Sequence, residues 1–290
     1  MTTRSDKVRR FRELHRAGCF TIPNPWDVGG ARMMTALGFE ALATTSSGYA
    51  FAWGGEDIAV RRTVPVRSPV TRDVRRTEAL QYAAAVAAAT HVPVTMDSED
   101  CYADTTDGVA ETVRLAAEAG LAGLSIEDRQ MNQAKPIRDF DDAVARVEAA
   151  VKAARKYDIV LTARADGIGA RAYDLDEAIR RLKAFEAIGA DVLYAPALPD
   201  LAALQRLCRS VDAPVNHVIG LGAPGLSFAE IASAGVRRIS LGGSLAKAMG
   251  GALLRTCRTI AGGDFSDLER EGGWDALYNP APILKERVSA

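Results

Sequence analysis

Residues 91–100 read HVPVTMDSED, and this stretch sets a pattern that much of the chain repeats. A hydrophobic run typical of a buried β-strand, residues 92–96, ends abruptly in a cluster of three acids. Two later runs end in a similar way, at Glu127 with Asp128 and at Arg164 with Asp166. Like charges crowd together only where a cation, an arginine or solvent compensates them. The strand ends are therefore predicted to form the rim of an active site.

The alternation of strands with helices predicts the fold. Strands are expected at residues 20–23, 41–45, 92–96, 123–126, 159–163, 191–194, 214–218 and 238–241. Amphipathic helices are expected at residues 26–37, 71–89, 107–119, 139–156, 174–188, 199–209, 227–234 and 244–261. Eight strand–helix units in about 250 residues fit an α/β protein with a (β/α)8 TIM-type barrel. An open doubly wound sheet is the alternative, but residues 24–27 read NPWD where that fold carries its glycine fingerprint.

The chain is predicted to form one domain over residues 1–290, with a leading helix at about 4–17 and a C-terminal extension at 262–290. Two longer stretches, 49–70 and 129–138, follow strands 2 and 4 and are expected to be lids or substrate loops on the catalytic face. In the extension, Trp274, Leu277 and Tyr278 share one helix face. That face is expected to cover either its own barrel or a neighbouring subunit.

Composition excludes several classes of protein. The chain carries 36 basic and 37 acidic residues, so nothing favours a nucleic acid or a membrane surface as partner. Four scattered cysteines without a CxxC pair are typical of reduced thiols in a cytoplasmic protein. The polar N-terminus does not resemble a signal peptide, and the alanine-rich run at 83–89 is too short to span a membrane.

The acids at the strand ends suit a hard metal ion. Asp97 and Glu99 alternate by two, so both point the same way from an extended segment. With Asp57 and Glu127 they form a set of oxygen ligands without a thiolate or histidine cluster. Mg²⁺ accepts one or two such carboxylates and keeps several waters, whereas zinc favours His or Cys. The alternative is that these acids are solvated or paired with nearby arginines.

Polar groups beside the acids are candidates for binding an anionic substrate. Arg164 either pairs with a rim acid or grips a substrate carboxylate in bidentate fashion. Thr45, Ser46, Ser47 and Gly48 offer hydroxyls and closely spaced backbone N–H groups, which suit an anionic oxygen.

Four further residues lie at or near strand ends. Tyr194 and Asn216 are placed to face a ligand. His217 is either an acid–base catalyst or a structural histidine. Cys101 follows the acid cluster and is either near the site or a buried inert thiol. The sequence leaves the roles of His217 and Cys101 open.

Seven short segments carry a resemblance to a known family. In order along residues 10 to 260 they are IPNPWD at 22–27, ATTSSG at 43–48, GGED at 54–57, SIED at 125–128, LTARAD at 161–166, VLYAP at 192–196 and RISLG at 238–242. The chain resembles the isocitrate lyase/phosphoenolpyruvate mutase superfamily. It is most similar to the short bacterial branch of carboxyphosphonoenolpyruvate phosphonomutase-like and oxaloacetate decarboxylase-like proteins.

The resemblance implies a barrel with Mg²⁺, or alternatively Mn²⁺, at the strand C-termini. It implies cleavage or formation of a C–C or P–C bond in a small 2-oxo or 2-hydroxy acid through an enolate-like intermediate, in a homotetramer whose dimers exchange C-terminal helices. The implied metal ligands are Asp97, directly, and Asp57, Glu99 and Glu127, directly or through water. The implied substrate contacts are Thr45, Ser46, Ser47, Arg164 and Asn216, and the catalytic groups are then Arg164, Glu127 and Ser46.

Two departures from the family pattern narrow the chemistry. Residues 129–136 read RQMNQAKP and lack the Lys-Lys/Arg-Cys-Gly motif that supplies the catalytic acid of isocitrate and methylisocitrate lyases. Phosphoenolpyruvate mutases carry a longer gating loop with an Asn, for which Asn132 is the candidate substitute. Asp97-Ser98-Glu99 also replaces the common Asp-x-Asp pair.

The sequence therefore favours a Mg²⁺-dependent lyase that decarboxylates, or otherwise cleaves a C–C bond of, an oxaloacetate-like dicarboxylate. The alternatives are a phosphonomutase or phosphonopyruvate hydrolase, and a non-catalytic metabolite-binding barrel. The sequence leaves the exact substrate open, because the discriminating loop at 129–138 matches none of these patterns.

Overall fold

The computed structural model describes residues 2–54, 72–130, 135–222, 225–266 and 268. The strands are β1 Phe20–Ile22, β2 Leu42–Ala43, β3 Val94–Met96, β4 Gly123–Glu127, β5 Val160–Arg164, β6 Val192–Tyr194, β7 Val215–Val218 and β8 Arg238–Ser240. The helices are α1 Arg4–Arg16, α2 Val28–Ala36, α3 Ser46–Ala52, α4 Arg72–Ala88, α5 Thr106–Glu118, α6 Phe140–Lys156, α7 Leu175–Ile188, α8 Leu201–Ser210, α9 Phe228–Ser233 and α10 Ser244–Ala261.

The eight strands form one parallel sheet in the order β1-β8-β7-β6-β5-β4-β3-β2. The two ends of this sheet meet, because the backbone N–H of Ala43 donates to the carbonyl of Pro23 at 3.0 Å. Asn24 reinforces the junction by donating its side-chain amide to the carbonyl of Thr44 at 2.9 Å. The sheet is therefore a nearly closed barrel surrounded by helices, which confirms the predicted (β/α)8 architecture and excludes an open sheet.

Local sequence determines where the helices begin. Side chains of Asp27, Thr105, Asp174 and Asp200 each accept a hydrogen bond from a backbone N–H in the first turn of α2, α5, α7 and α8. Such caps satisfy donors that have no partner inside the helix. These helices begin within two residues of the predicted positions.

Helix α3 was not predicted, because its serines and glycine indicated a turn. Thr45 caps this helix by accepting a hydrogen bond from the backbone N–H of Gly48 at 3.3 Å. The predicted loop at 49–70 is therefore helical as far as Ala52. Its remainder at 55–70 lies outside the described residues, as do the apolar residues proposed for the C-terminal tail.

The N-terminal helix closes one end of the barrel. Val8, Phe11 and Leu14 of α1 are buried in a cluster with residues at the start of the strands, including Val160. The fit is close at Gly123, where an added Cβ would lie 2.9 Å from Phe11 Cε1. Only the carboxyl ends of the strands are then left to hold an open site.

None of the helices in the described ranges combines the length and the apolar character that crossing a membrane requires.

Candidate active site

A cavity of about 300 Å³ lies inside the carboxyl-terminal end of the barrel. All eight strands, or the segments directly after them, contribute to its wall. Catalytic groups of (β/α)8 enzymes lie at this end. The cavity therefore coincides with the rim of acids that the sequence predicts.

Asp97, which follows β3, is held at the start of α3. Its Oδ2 accepts hydrogen bonds from the backbone N–H of Ser46 at 3.0 Å and from the Ser46 hydroxyl at 2.9 Å. Its Oδ1 accepts a hydrogen bond from Nη1 of Arg164 at 3.0 Å. The free N–H groups at a helix start favour negative charge. Asp97 is thus fixed as a carboxylate in the cavity wall.

Arg164, the last residue of β5, is shared by three carboxylates. Its Nε and Nη2 form a bidentate pair with Asp166 at 3.1 and 2.8 Å. Its Nη1 contacts Glu127 Oε1 at 2.8 Å as well as Asp97. Although burial opposes it, these carboxylates hold the pKa of Arg164 well above its ordinary value. Of the two roles that the sequence leaves open for Arg164, its bidentate edge is therefore used for a rim acid, Asp166.

Glu127, the last residue of β4, is buried beside Arg164. Burial raises its pKa well above the ordinary value, and the charges of Asp166, Asp97 and Glu99 raise it further, while Arg164 opposes the shift. A carboxyl group with a raised pKa in a cavity is a candidate for holding a proton and delivering it to a substrate.

Glu99 lies in the cavity wall on an unusual backbone. Its φ is +49°, and Cys101 and Tyr102 also have positive φ values of +61° and +51°. Non-glycine residues adopt this region only where surrounding contacts enforce it. Arg146 supplies such contacts from α6, by donating to the carbonyls of Asp100 and Ala103 at 2.8 and 2.9 Å. The fold thus constrains the segment that presents Glu99.

The segment Thr45 to Gly48 is divided between the cavity and the packing behind it. Thr45, Ser46 and Ser47 line the cavity, and the hydroxyls of Thr45 and Ser47 are 3.0 Å apart. Gly48 does not line it. A Cβ at Gly48 would lie 2.6 Å from Thr45 Cγ2 and 3.0 Å from Trp26 Cβ, so glycine is required there by packing.

Tyr194 and Asn216 both line the cavity, but in different ways. The Tyr194 ring lies under the guanidinium of Arg164, at 4.7 Å from its centroid. The Asn216 amide is used within the protein, because it donates to Ser240 Oγ at 3.0 Å and accepts from Nε of Arg238 at 2.7 Å. Tyr194 therefore supports Arg164, and Asn216 joins two strands.

The structure does not place His217 or Cys101 in the cavity wall. His217 is buried and alternates with Asn216 along β7, so it faces the opposite side of the strand. Burial lowers its pKa. Burial also raises the pKa of the Cys101 thiol to about 12, so it is a neutral thiol at neutral pH. Asp57 and residues 131–134 of the predicted lid lie outside the described residues.

Asp166 was not assigned a site role from the sequence, and it emerges as the main partner of Arg164. Its own backbone N–H donates to Asp128 Oδ1 at 2.8 Å. Asp128 in turn accepts hydrogen bonds from Tyr173 at 2.7 Å and Arg181 at 3.0 Å, and burial raises its pKa to about 6. Asp128 lies behind the cavity wall, where it positions Asp166.

The deeper wall of the cavity was not predicted from the sequence. Ser125, Thr162 and Arg238 line it below the rim. Ser125 and Thr162 precede Glu127 and Arg164 by two residues on β4 and β5, so the alternation of side chains along a strand was the signal that would have identified them.

The donor chemistry of the rim fits a hard cation. Asp97, Glu99 and Glu127 offer carboxylate oxygens, and Arg164 is the one positive charge shared by three acids. Across the described ranges, no three His, Cys, Asp or Glu side chains lie close enough together to enclose a metal ion.

The chain is similar to known proteins in sequence and in fold. The family model described as phosphoenolpyruvate phosphomutase matches residues 11–261. Among solved structures, a Burkholderia cenocepacia J2315 protein described provisionally as a lyase/mutase is 41% identical, with a TM-score of 0.86. That match covers 94% of this chain and 95% of the other.

Two curated proteins are similar over most of the chain. A protein of Mycobacterium tuberculosis (strain ATCC 25618 / H37Rv), described as uncharacterized, is 32% identical over 235 residues, which are 80% of this chain and 81% of its own length. The oxaloacetate decarboxylase of Paraburkholderia xenovorans (strain LB400) is 30% identical over 222 residues, which are 74% of this chain and 68% of its own length.

Proposed function

Because this chain belongs to the phosphoenolpyruvate phosphomutase family, we propose that it is a divalent-cation-dependent lyase that decarboxylates a small 2-oxo dicarboxylic acid of the oxaloacetate type. One observation carries the proposal. Asp97 is held between the start of α3 and Arg164, in a cavity whose other rim groups are acids. Similarity to an oxaloacetate decarboxylase supports the choice of substrate.

Asp97 is the residue expected to hold the cation directly, with Glu99, Glu127 and Asp57 contributing directly or through water. Mg²⁺ is the preferred ion and Mn²⁺ the alternative, since all of these donors are carboxylates. When bound, the ion supplies a Lewis acid that polarises the 2-oxo group of the substrate.

The groups of this chain then have distinct tasks. At the start of α3, Ser46 holds Asp97 through its N–H and hydroxyl groups, and Ser47, which lines the cavity, donates to the oxygen on which negative charge develops. Nη1 of Arg164 adds positive charge to the same region. As the C–C bond breaks, CO₂ leaves and the electron pair forms an enolate. Glu127 then contributes to the cation site through water rather than directly, and with its raised pKa it holds the proton that is delivered to the enolate carbon.

Decarboxylation is preferred to methylisocitrate-type cleavage because that reaction needs a cysteine acid in the loop after β4. Residues 129–138 contain no cysteine, and Cys101 is a buried thiol outside the cavity wall. Phosphonomutase or phosphonopyruvate hydrolase activity and simple metabolite binding are alternatives that the same assay distinguishes.

The test is a substrate panel of oxaloacetate, methylisocitrate, 2,3-dimethylmalate and phosphonopyruvate, followed by proton and phosphorus NMR with Mg²⁺ and with excess chelator. We expect oxaloacetate to be converted to pyruvate and CO₂ only when the cation is present. Asp97→Ala should abolish both turnover and cation binding, whereas the exposed acid variant Asp212→Asn should behave as wild type. Full activity in excess chelator, or turnover of phosphonopyruvate alone, would contradict the proposal.

The proposal extends to assembly. Met249, Leu253 and Leu254 of α10 are exposed, and Phe51 of α3 is exposed next to Gly250. Exposed apolar groups of this size on one helix indicate a surface that another chain covers. A single barrel domain over residues 1–290 would then form a cytoplasmic homotetramer, with 262–290 contributing to a subunit contact.

Light scattering of the wild type and of a Leu253→Glu/Leu254→Glu double variant tests the assembly. We expect a tetramer for the wild type and a smaller species for the variant. A wild-type monomer at micromolar concentration would contradict the assembly without bearing on the chemistry.

A further inference from the structure

A continuous row of polar side chains leads from the rim down into the barrel. The strand register pairs Glu127 with Arg164, Arg164 with Tyr194, Tyr194 with Asn216, and Asn216 with Arg238. Because barrel strands are tilted, a row that follows the register descends as it passes from strand to strand. Arg238, the first residue of β8, is therefore at the deep end of the row.

Arg238 differs from Arg164 in having no carboxylate partner among the described residues. It is 5% exposed, and its Nε donates to Asn216 Oδ1 at 2.7 Å while Nη2 donates to Thr162 Oγ1 at 3.1 Å. Its Nη1 has no hydrogen-bond partner among the described residues. Burial lowers the pKa of Arg238 to about 10, so it is still a cation at neutral pH.

A second polar group without a partner lies in the same cavity wall. The Ser125 hydroxyl, on a residue that is 8% exposed, also lacks a hydrogen-bond partner within the described part of the chain. Its neighbour in the register is Thr162, which accepts from Arg238. The lumen thus contains an uncompensated positive charge on β8 and an additional hydroxyl donor on β4, and Thr162 of β5 lies next to both.

The distance from the rim matches a short substrate. Thr162 precedes Arg164 by two residues on β5, which corresponds to about 7 Å along the strand. Arg238, which bonds to Thr162, therefore lies roughly one such layer below Arg164. The cavity of about 300 Å³ includes both levels.

We propose that the lumen below the rim is an anionic subsite, in which Arg238 Nη1 and Ser125 Oγ donate to a carboxylate-sized anionic group. An uncompensated buried charge is unfavourable, and a bound anion supplies the missing counter-charge and acceptors. The group is either the second carboxylate of the substrate, which rests on the proposed function, or a free small anion. Both candidates carry a negative charge and accept hydrogen bonds, and the experiment below distinguishes between them.

The experiment measures binding rather than turnover, with the Mg²⁺-loaded protein and calorimetric titration. Malate and lactate form a matched pair of 2-hydroxy acids with two carboxylates and one. We expect the wild type to bind malate about tenfold more tightly than lactate. A tenfold ratio of dissociation constants corresponds to about one charge-assisted hydrogen bond to the second carboxylate. In Arg238→Met this ratio should fall close to one while lactate affinity is unchanged.

Arg237→Met is the control, since it removes the preceding arginine, which lies outside the cavity wall, and it should retain the wild-type ratio. A bromide titration tests the free-anion source. Bromide binding that is lost in Arg238→Met, with no preference for malate, would support the subsite and assign it to a free anion. If Arg238→Met does not fold, Ser125→Ala tests the same prediction through the second donor, and should lower the malate-to-lactate ratio severalfold.

The subsite is wrong if neither the malate preference nor bromide binding depends on Arg238 or Ser125. This outcome is distinct from failure of the proposed function. If the protein is inactive but its preference for malate over lactate depends on Arg238, the proposed function is wrong and the subsite stands. If the protein decarboxylates oxaloacetate, and Arg238→Met changes neither its KM nor its preference for malate, the proposed function stands and only the subsite is wrong.

Discussion

Replacing Arg164 by methionine removes the one cation shared by three rim carboxylates. Four contacts are lost: two hydrogen bonds to Asp166, one hydrogen bond to Asp97, and the ion pair with Glu127. Removing one partner of a buried ion pair costs about 3–5 kcal/mol, and the four contacts are too strongly coupled for their energies to be added. For a chain of 290 residues, at about 2.1 cal/mol/K per residue, this loss lowers Tm by about 5–8 °C.

The pH dependence of this loss distinguishes electrostatics from packing. Burial already raises the pKa of Glu127 and Arg164 opposes that shift, so without Arg164 we expect the folded-state pKa of Glu127 to rise further above that of the unfolded chain, and the folded state takes up a proton as the pH falls. The difference in stability from wild type should therefore be largest at pH 7.5 and should narrow at pH 5.5. Adding a divalent cation should raise the stability of Arg164→Met more than that of the wild type, because the cation replaces the missing positive charge.

Thermal unfolding followed by circular dichroism, at both pH values and with and without Mg²⁺, measures these effects. Arg180→Met is the matched control, because Arg180 pairs with Glu177 on an exposed face of α7, where an ion pair contributes about 0–1 kcal/mol. If Arg164→Met melts within about 2 °C of wild type at pH 7.5, with no response to pH, the described network is not what stabilises the rim.

Three further predictions concern single residues. In a rate–pH profile, wild-type activity should fall as the pH rises through the raised pKa of Glu127. Glu127→Gln should be slow, and its rate should no longer fall over that pH range. A variant with the wild-type profile would show that Glu127 takes no part in proton transfer. Gly48→Ala places a methyl group 2.6 Å from Thr45 Cγ2 and should lower the free energy of unfolding, measured with denaturant, by about 1–3 kcal/mol. An unchanged free energy of unfolding would mean that α3 moves to accommodate the methyl group. Cys101→Ala should keep kcat because this thiol lies outside the cavity wall, and a large loss of kcat would give the residue a catalytic role.

The strand ends were predictable because their signal is local. A buried strand is a short apolar run, and a charge that ends it, as Glu127 does, or follows it directly, as Asp97 does, must lie at the carboxyl edge of the sheet. The eight-fold repeat then brings these ends together without any knowledge of tertiary contacts. Seven of the predicted site residues in the described ranges accordingly line the cavity at the rim: Thr45, Ser46, Ser47, Asp97, Glu99, Glu127 and Arg164.

The pairing of side chains was not predictable in the same way. The sequence placed Arg164 at the rim, but the choice between a substrate carboxylate and a protein acid depends on side-chain geometry across β5. Helix α3 was missed because Ser46, Ser47 and Gly48 are common in turns, although Thr45 is a regular N-cap. Arg238 was missed because it begins its strand, far in sequence from the acids, and only the barrel's register brings it under Arg164.

The closure of the barrel by α1 has a consequence for how the chain is made. Arg4 donates to the carbonyls of Tyr157 and Asp158, the latter 154 residues later in the chain. At a synthesis rate of about 5–20 residues per second, α1 leaves the ribosome about 8–30 seconds before these partners exist. During that interval its apolar face, which includes Val8 and Phe11, has no completed barrel to cover. Helix α1 thus completes its contacts only after β6 emerges, and until then its apolar face is exposed to chaperones and to aggregation.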